Sequence, residues 1–243
     1  MTRLVASELL KLRTTRTSWA LMGGAVALVI VISAIAAALG SFTGATPGLG
    51  LLAVAALAQL FVLVGGVITI TTEYRQGTIT PSLLVEPVRG RLLAAKLAAQ
   101  LMVGLLVGVV AFGVCAGLVA GILSSRGIAT GMSTSYWVGS IIGGAVATML
   151  YGVLGLGVGA ILCNQAAAIV VVLAWIFVIE NLLSVIPGFT IGRYGLAGVA
   201  AALSQAVHQH KYLHQLPAGL LLLGYTLALV IAGATVTRRR DIS

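Results

Sequence analysis

Ionisable side chains are scarce in this chain, and where they fall limits the chemistry they can do. Glu180, followed by Asn181, is the one full charge inside a long apolar run. A carboxylate at membrane depth costs roughly 2.5–3.5 kcal/mol on insertion scales, so it has to face protein or a wet cavity. There it could touch or gate a transported solute, pair with a neighbouring helix, or reach the outer interface. Gln59 and Gln100 are further polar candidates for a pathway lining. His208, His210 and His214 suggest metal binding, but no cysteine or acid stands beside them and their spacing suits no single element, so they read as a wet loop and no metal site is expected. Cys115 and Cys163 read as small packing residues, without a disulfide framework. No group of Glu, His, Asp and Ser converges as a hydrolase would require. No G-x-x-x-x-G-K-[ST] loop is present, and the "GLGVGA" at 155–160 lies in an apolar run with no strand before it. The chain is therefore not expected to be an enzyme or to bind a cofactor itself.

The charge that remains is concentrated. Glu73, Arg75, Glu86, Arg89, Arg91 and Lys96 fall within 24 residues, six of the nineteen charges in the sequence. Charge alone fits a solvated loop that holds membrane orientation. The order of residues says more: Glu73 comes directly off an apolar run, Gly77 permits a sharp turn, and Thr80-Pro81 suits an N-cap and first helical position. Ser82–Val85 then forms a short helix, ended before Pro87 because a residue preceding proline disfavours helical geometry. A turn, a short helix and a return make a docking element.

Apolar runs must position all of this. Sixty per cent of the residues are hydrophobic and the mean hydropathy is +1.14, in long runs that mark an integral membrane protein. About 20 apolar residues cross ~30 Å of hydrocarbon as a helix, and six segments qualify: 19–40, 51–72, 97–123, 137–162, 166–186 and 217–236. The runs are continuous rather than alternating, which excludes a β-barrel and predicts an all-α fold. The first run is too long for a signal-peptide core and reads as a retained anchor. Arg3, Lys11, Arg13, Arg16, Arg75, Arg89, Arg91, Lys96, Arg238, Arg239 and Arg240 fall on one side, against Arg126, Arg193 and Lys211 on the other. That asymmetry places both termini and the 73–96 loop in the cytoplasm, and the net charge of +9 then reflects membrane lipid rather than nucleic acid. Residues 1–18, with Leu4, Val5, Leu9 and Leu12 at helical spacing, predict an amphipathic interfacial helix before a single six-span domain over 19–243. In the 187–216 connection, 195–207 is apolar but too short to cross, and reads as an external re-entrant segment. Gly104, Gly108, Gly113, Gly117 and Gly121, with Gly155 and Gly159, predict close helix packing.

In its 73–96 loop the chain resembles the type 2 permeases of ATP-binding-cassette exporters. That family typically carries there a glutamate, a Gly-Thr pair, an apolar short helix, a proline with a nearby arginine, and a lysine entering the next span. Here these are Glu73, Gly77-Thr78, Ile79–Leu84, Pro87 with Arg89, and Lys96, while Pro81 and Glu86 depart from the usual pattern. The resemblance implies a cytosolic coupling helix, with Glu73, Arg75, Gly77, Thr78, Leu83, Leu84, Pro87 and Arg89 meeting a separate ATPase present in two copies. ATP and Mg would be bound by that ATPase, and a second copy or a paralogue of the permease would complete the exporter. It also implies a bacterial inner-membrane location. Apolar spans with one acid suit an amphipathic cargo, such as a drug, antibiotic, peptide or lipid-like compound, with Gln59, Gln100, Glu180 and Asn181 as the candidates along its path. An ATP-independent carrier or channel built around Glu180 is the alternative reading.

Overall fold

The computed structural model describes residues 2–40, 47–77, 89–184, 191–205 and 212–239. These are almost wholly helical, with no strand among the described residues. Six helices are long and apolar enough to cross a membrane, the mark of a multi-pass membrane protein: Arg16–Leu39, Gly50–Arg75, Gly90–Ser125, Thr134–Leu162, Gln165–Leu183 and Gln215–Thr237, here termed spans one to six. Each overlaps the run expected from hydropathy. The largest difference is at span three, whose helix begins at Arg89, eight residues before the apolar run, because Lys96 is buried among partners that let the helix continue past a charge. A separate helix, Thr2–Thr14, precedes span one, broken from it where Thr15 turns to extended geometry (φ −86°, ψ 120°).

Span four is the hub. It packs against spans two, three and six, and most of its surface is buried within the protein. Its composition permits this, because small residues let backbones approach where side chains would hold them apart. A Cβ added at Gly155 would stand 2.0 Å from the Leu63 carbonyl oxygen, and one at Gly66 2.0 Å from that of Gly152. Gly104 and Gly108 of span three are similarly closed by Met149 and Ala145. The stripe does not continue as the sequence suggests: Gly113, Gly117 and Gly121 meet nothing within 4 Å. The step from 108 to 113 is five residues, which turns the second half of the stripe by about 140° at 3.6 residues per turn.

Two large apolar cores result, with a smaller cluster of Ile70, Leu156 and Ala160 beside them. One gathers Leu63, Val67, Leu154, Val172, Val199 and Leu222 from spans two, four, five and six and a short helix. The other gathers Val29, Leu52, Val62, Phe112 and Val119 from spans one, two and three. Span two contributes to both and ties the halves together.

Spans four and five reverse within two residues. Cys163 takes left-handed geometry (φ 52°), and Asn164 caps the next helix by accepting from the Ala167 N–H at 3.1 Å. The opposite end is closed by the four-residue helix Ile191–Tyr194 and by Leu196–Leu203, too short to cross a membrane and mostly buried. Gln215 Nε2 donates to the Leu203 and Gly139 carbonyls at 3.0 and 3.1 Å, and Tyr136 donates to the Gln205 carbonyl.

The glycine contacts separate two outcomes. Gly155→Ala should lower stability by roughly 1–3 kcal/mol or more through backbone overpacking, whereas Gly117→Ala should be close to neutral; thermal unfolding of the detergent-solubilised variants checks both.

Candidate functional site

Glu73, the last acid of span two, is not free at the surface. It is 7% exposed, and its Oε1 accepts from Lys96 Nζ at 2.5 Å and from Lys11 Nζ at 3.1 Å. Both lysines also reach Glu8 of the amino-terminal helix, Lys96 to Oε2 at 2.8 Å and Lys11 to Oε1 at 2.9 Å. The four side chains close an alternating ring, Glu8–Lys96–Glu73–Lys11, that carries no net charge. Glu8 and Lys96 are 4% and 3% exposed, while Lys11 is half-exposed.

Helical geometry explains why the ring forms there. Glu8 stands on the same face as Leu4, Val5, Leu9 and Leu12, so packing that apolar face on the bundle carries the acid inside. Glu73 and Lys96 end and begin the two spans that the 78–88 segment joins, which brings them side by side. Burial alone raises the pKa of the Glu8 carboxyl, but Lys96 and then Lys11 outweigh it and hold the group below its ordinary value. At Lys11 burial pulls the other way, and Glu8 and Glu73 raise the ammonium above its ordinary value. Both residues therefore stay charged at neutral pH, and the ring is an ionic clasp between three helices.

A cavity of about 720 Å³ runs from this ring between the amino-terminal helix and spans one, two and three. At the ring end it is lined by Glu8, Lys11, Glu73 and Arg75, and deeper in by Met22, Phe61, Val62 and Val103. Gln100 lines it too, its Nε2 lying 3.4 Å from the Val62 carbonyl. Among residues expected to face an ATPase, Arg75 is exposed, and Gly77 has the left-handed φ of +64° that lets the chain turn off span two. Arg89 opens the helix of span three, and Thr78, Leu83, Leu84 and Pro87 lie outside the described residues. So does the expected short helix between them.

The expected pathway residues are not gathered in one place. Glu180 is buried at the opposite end, where its Oε1 accepts from the Leu196 N–H at 2.6 Å and from Trp175 Nε1 at 3.0 Å, and its Oε2 from the Ala197 N–H at 3.0 Å. It therefore caps the Leu196–Leu203 helix from another element, an anion at the positive end of a helix. A π-helical turn at Trp175–Ile179 makes this geometry available, because residues five apart, Trp175 and Glu180, stack in such a turn. Asn181 is exposed and donates to the Phe177 carbonyl within its own helix. Gln59 is buried, and its Nε2 has no partner among the described residues. Of the four, Gln100 alone lines the cavity beside the ring.

Sequence reasoning missed Glu8. The signal was an acid standing among four apolar residues on the hydrophobic face of a basic helix, in a chain with five acids in all.

Two substitutions test these assignments. Lys96→Met leaves two buried carboxylates against one half-exposed lysine and should cost roughly 3–5 kcal/mol, part of it recovered when Glu8→Gln is added; equilibrium unfolding in detergent measures the cycle. Glu180→Ala leaves three N–H donors unpaired and should cost roughly 2–4 kcal/mol, with faster proteolysis of the 185–212 connection as the local readout, whereas a purely solute-contacting Glu180 would leave both unchanged.

No family model matches the chain, and neither does any curated protein, which leaves the residues themselves to carry the functional reading.

Proposed function

We propose that this chain is the membrane-spanning permease subunit of an ATP-binding-cassette exporter, moving an amphipathic solute by alternating access driven by a separate cytosolic ATPase. The observation that supports the reading is the ionic ring at the root of the 78–88 segment. Glu73 and Lys96 flank that segment, and with Glu8 and Lys11 they clasp the ends of spans two and three to the amino-terminal helix. A push on the segment then moves three helices together rather than bending one loop. Hydrolysis belongs to the partner, and this chain supplies the lever and the pathway.

In this reading the ring end is cytoplasmic, as the asymmetry of basic residues favours. The amino-terminal helix lies at the inner interface, the 78–88 segment forms a coupling helix, and Leu196–Leu203 is a re-entrant cap at the outer end. Two such chains, identical or paralogous, face an ATPase dimer, because each chain offers one docking segment. The alternative, an ATP-independent carrier or channel built on Glu180, has less support, since both oxygens of that carboxylate already accept N–H donors.

The test is co-purification with the ATPase encoded beside this chain, in lipid, with ATP hydrolysis as the readout. Leu83→Asp with Leu84→Asp alters the segment while leaving the ring intact. The double variant should keep the thermal stability of the parent yet lose about tenfold or more in ATPase retention, the scale of an interface anchor's loss. Absence of any ATPase on the parent chain, or equal retention by the variant, would refute the exporter reading.

A further inference from the structure

The amino-terminal helix turns inward the face that its periodicity would lay in a membrane. Glu8 is buried against the bundle, and Leu4, Val5, Leu9 and Leu12 around it are half-buried, the helix packing on spans one and three. At about 100° per residue, Leu10 stands about 200° from Glu8, with Arg3 and Arg13 within about 60° of Leu10. These three side chains are exposed, Leu10 to 60%.

Span one extends this outward face. Its first residue, Arg16, is exposed, and Trp19 is 61% exposed. Trp19 Nε1 donates to the Arg13 carbonyl at 2.6 Å, which satisfies a carbonyl of the helix's last turn and holds the indole against it. Among the described residues Arg3, Arg13 and Arg16 have no acidic partner, because Glu8, Glu73 and Glu180 are buried and held elsewhere.

Three unpaired arginines beside two exposed apolar side chains fit a partner that is both anionic and apolar. Position favours lipid over protein. Arg16 and Trp19 share a face of span one with Gly23, Ala27 and Ile30, all exposed, so the patch runs without a break into the surface that hydrocarbon covers. A tryptophan at the start of a span sits at headgroup level, and arginines there reach the phosphates and the net charge of anionic lipids.

We propose that the outward face of the amino-terminal helix, Arg3, Leu10 and Arg13 together with Arg16 and Trp19, is a docking surface for anionic phospholipid. The arginines engage the headgroups, and Leu10 and Trp19 sit at the boundary with the acyl chains. The helix thus meets the membrane by its basic face and the bundle by its apolar one. This surface requires no ATPase, so it stands or falls separately from the exporter reading.

The full chain, placed in nanodiscs with equal amounts of phosphatidylglycerol and phosphatidylcholine of the same acyl chains, is released and its retained lipid read by native mass spectrometry. Phosphatidylglycerol should be retained over phosphatidylcholine by about tenfold or more. Arg3→Gln, Arg13→Gln and Arg16→Gln should each lower that preference by up to about fivefold, the contribution of one basic residue at an anionic surface. The triple variant should bring it close to parity with thermal stability in detergent retained, since the ring is untouched. Equal retention of the two lipids by the parent chain, or an unchanged preference in the folded variants, would overturn the proposal. So would a triple variant that keeps its lipid preference but sheds a co-purified ATPase, because the face would then dock protein.

Discussion

The constraint on which this structure turns is that charge cannot be left alone where water is scarce. Hydrocarbon offers no counter-ion and no hydrogen bond, so each ionised group drawn inward must meet a partner of opposite charge or a set of N–H donors. The chain has five acids. The three that lie among the described residues, Glu8, Glu73 and Glu180, are all buried, and each is held by lysines or by N–H groups. None serves as an ordinary solubilising surface charge. In such a sequence an acid is a joint: two of them make the clasp at the amino-terminal end, and the third ties the short closing helix to span five at the other.

Between these joints the bundle is held by proximity rather than by charge. Lipid chains are as apolar as leucine, so burial of leucine against leucine offers little advantage there, and van der Waals contact between backbones takes over. That is why span four carries Gly143, Gly144, Gly152, Gly155, Gly157 and Gly159, nearly all of them in contacts too close for a Cβ. The glycine-lined centre has polar joints at both ends, and the amphipathic cavity lies to one side of it, between the amino-terminal helix and spans one, two and three.

Much of this was legible in the sequence, for identifiable reasons. The spans were readable because about twenty consecutive apolar residues have one economical conformation in a membrane, and the helix before span one was readable from Leu4, Val5, Leu9 and Leu12. The early break of that helix at Thr15 and the start of span three at Arg89 were not, since both depend on where the ring places its members. Glu8 went unassigned because a periodicity reading scores it as one polar residue rather than as a partner for a lysine 88 positions away. Glu180 drew notice as a misplaced charge, but its partners include the backbone N–H groups of Leu196 and Ala197, which have no side-chain signature. The glycine stripe of span three was half informative: spacing shows that a stripe exists, and only the five-residue step at Gly108–Gly113, set against the neighbouring helices, shows which half is used.

The ionic ring also dictates an order of events during synthesis. Glu8 leaves the ribosome first, with Lys11 as its sole partner in the ring, while Glu73 and Lys96 follow 65 and 88 residues later. The ring is incomplete until the first turns of span three have been made. Until then the amino-terminal helix has no buried place to occupy and must wait in a polar environment while spans one and two enter the bilayer. Its docking is therefore a late step that follows the arrival of span three, because Lys96, which pairs with both acids, is the last member of the ring to be made.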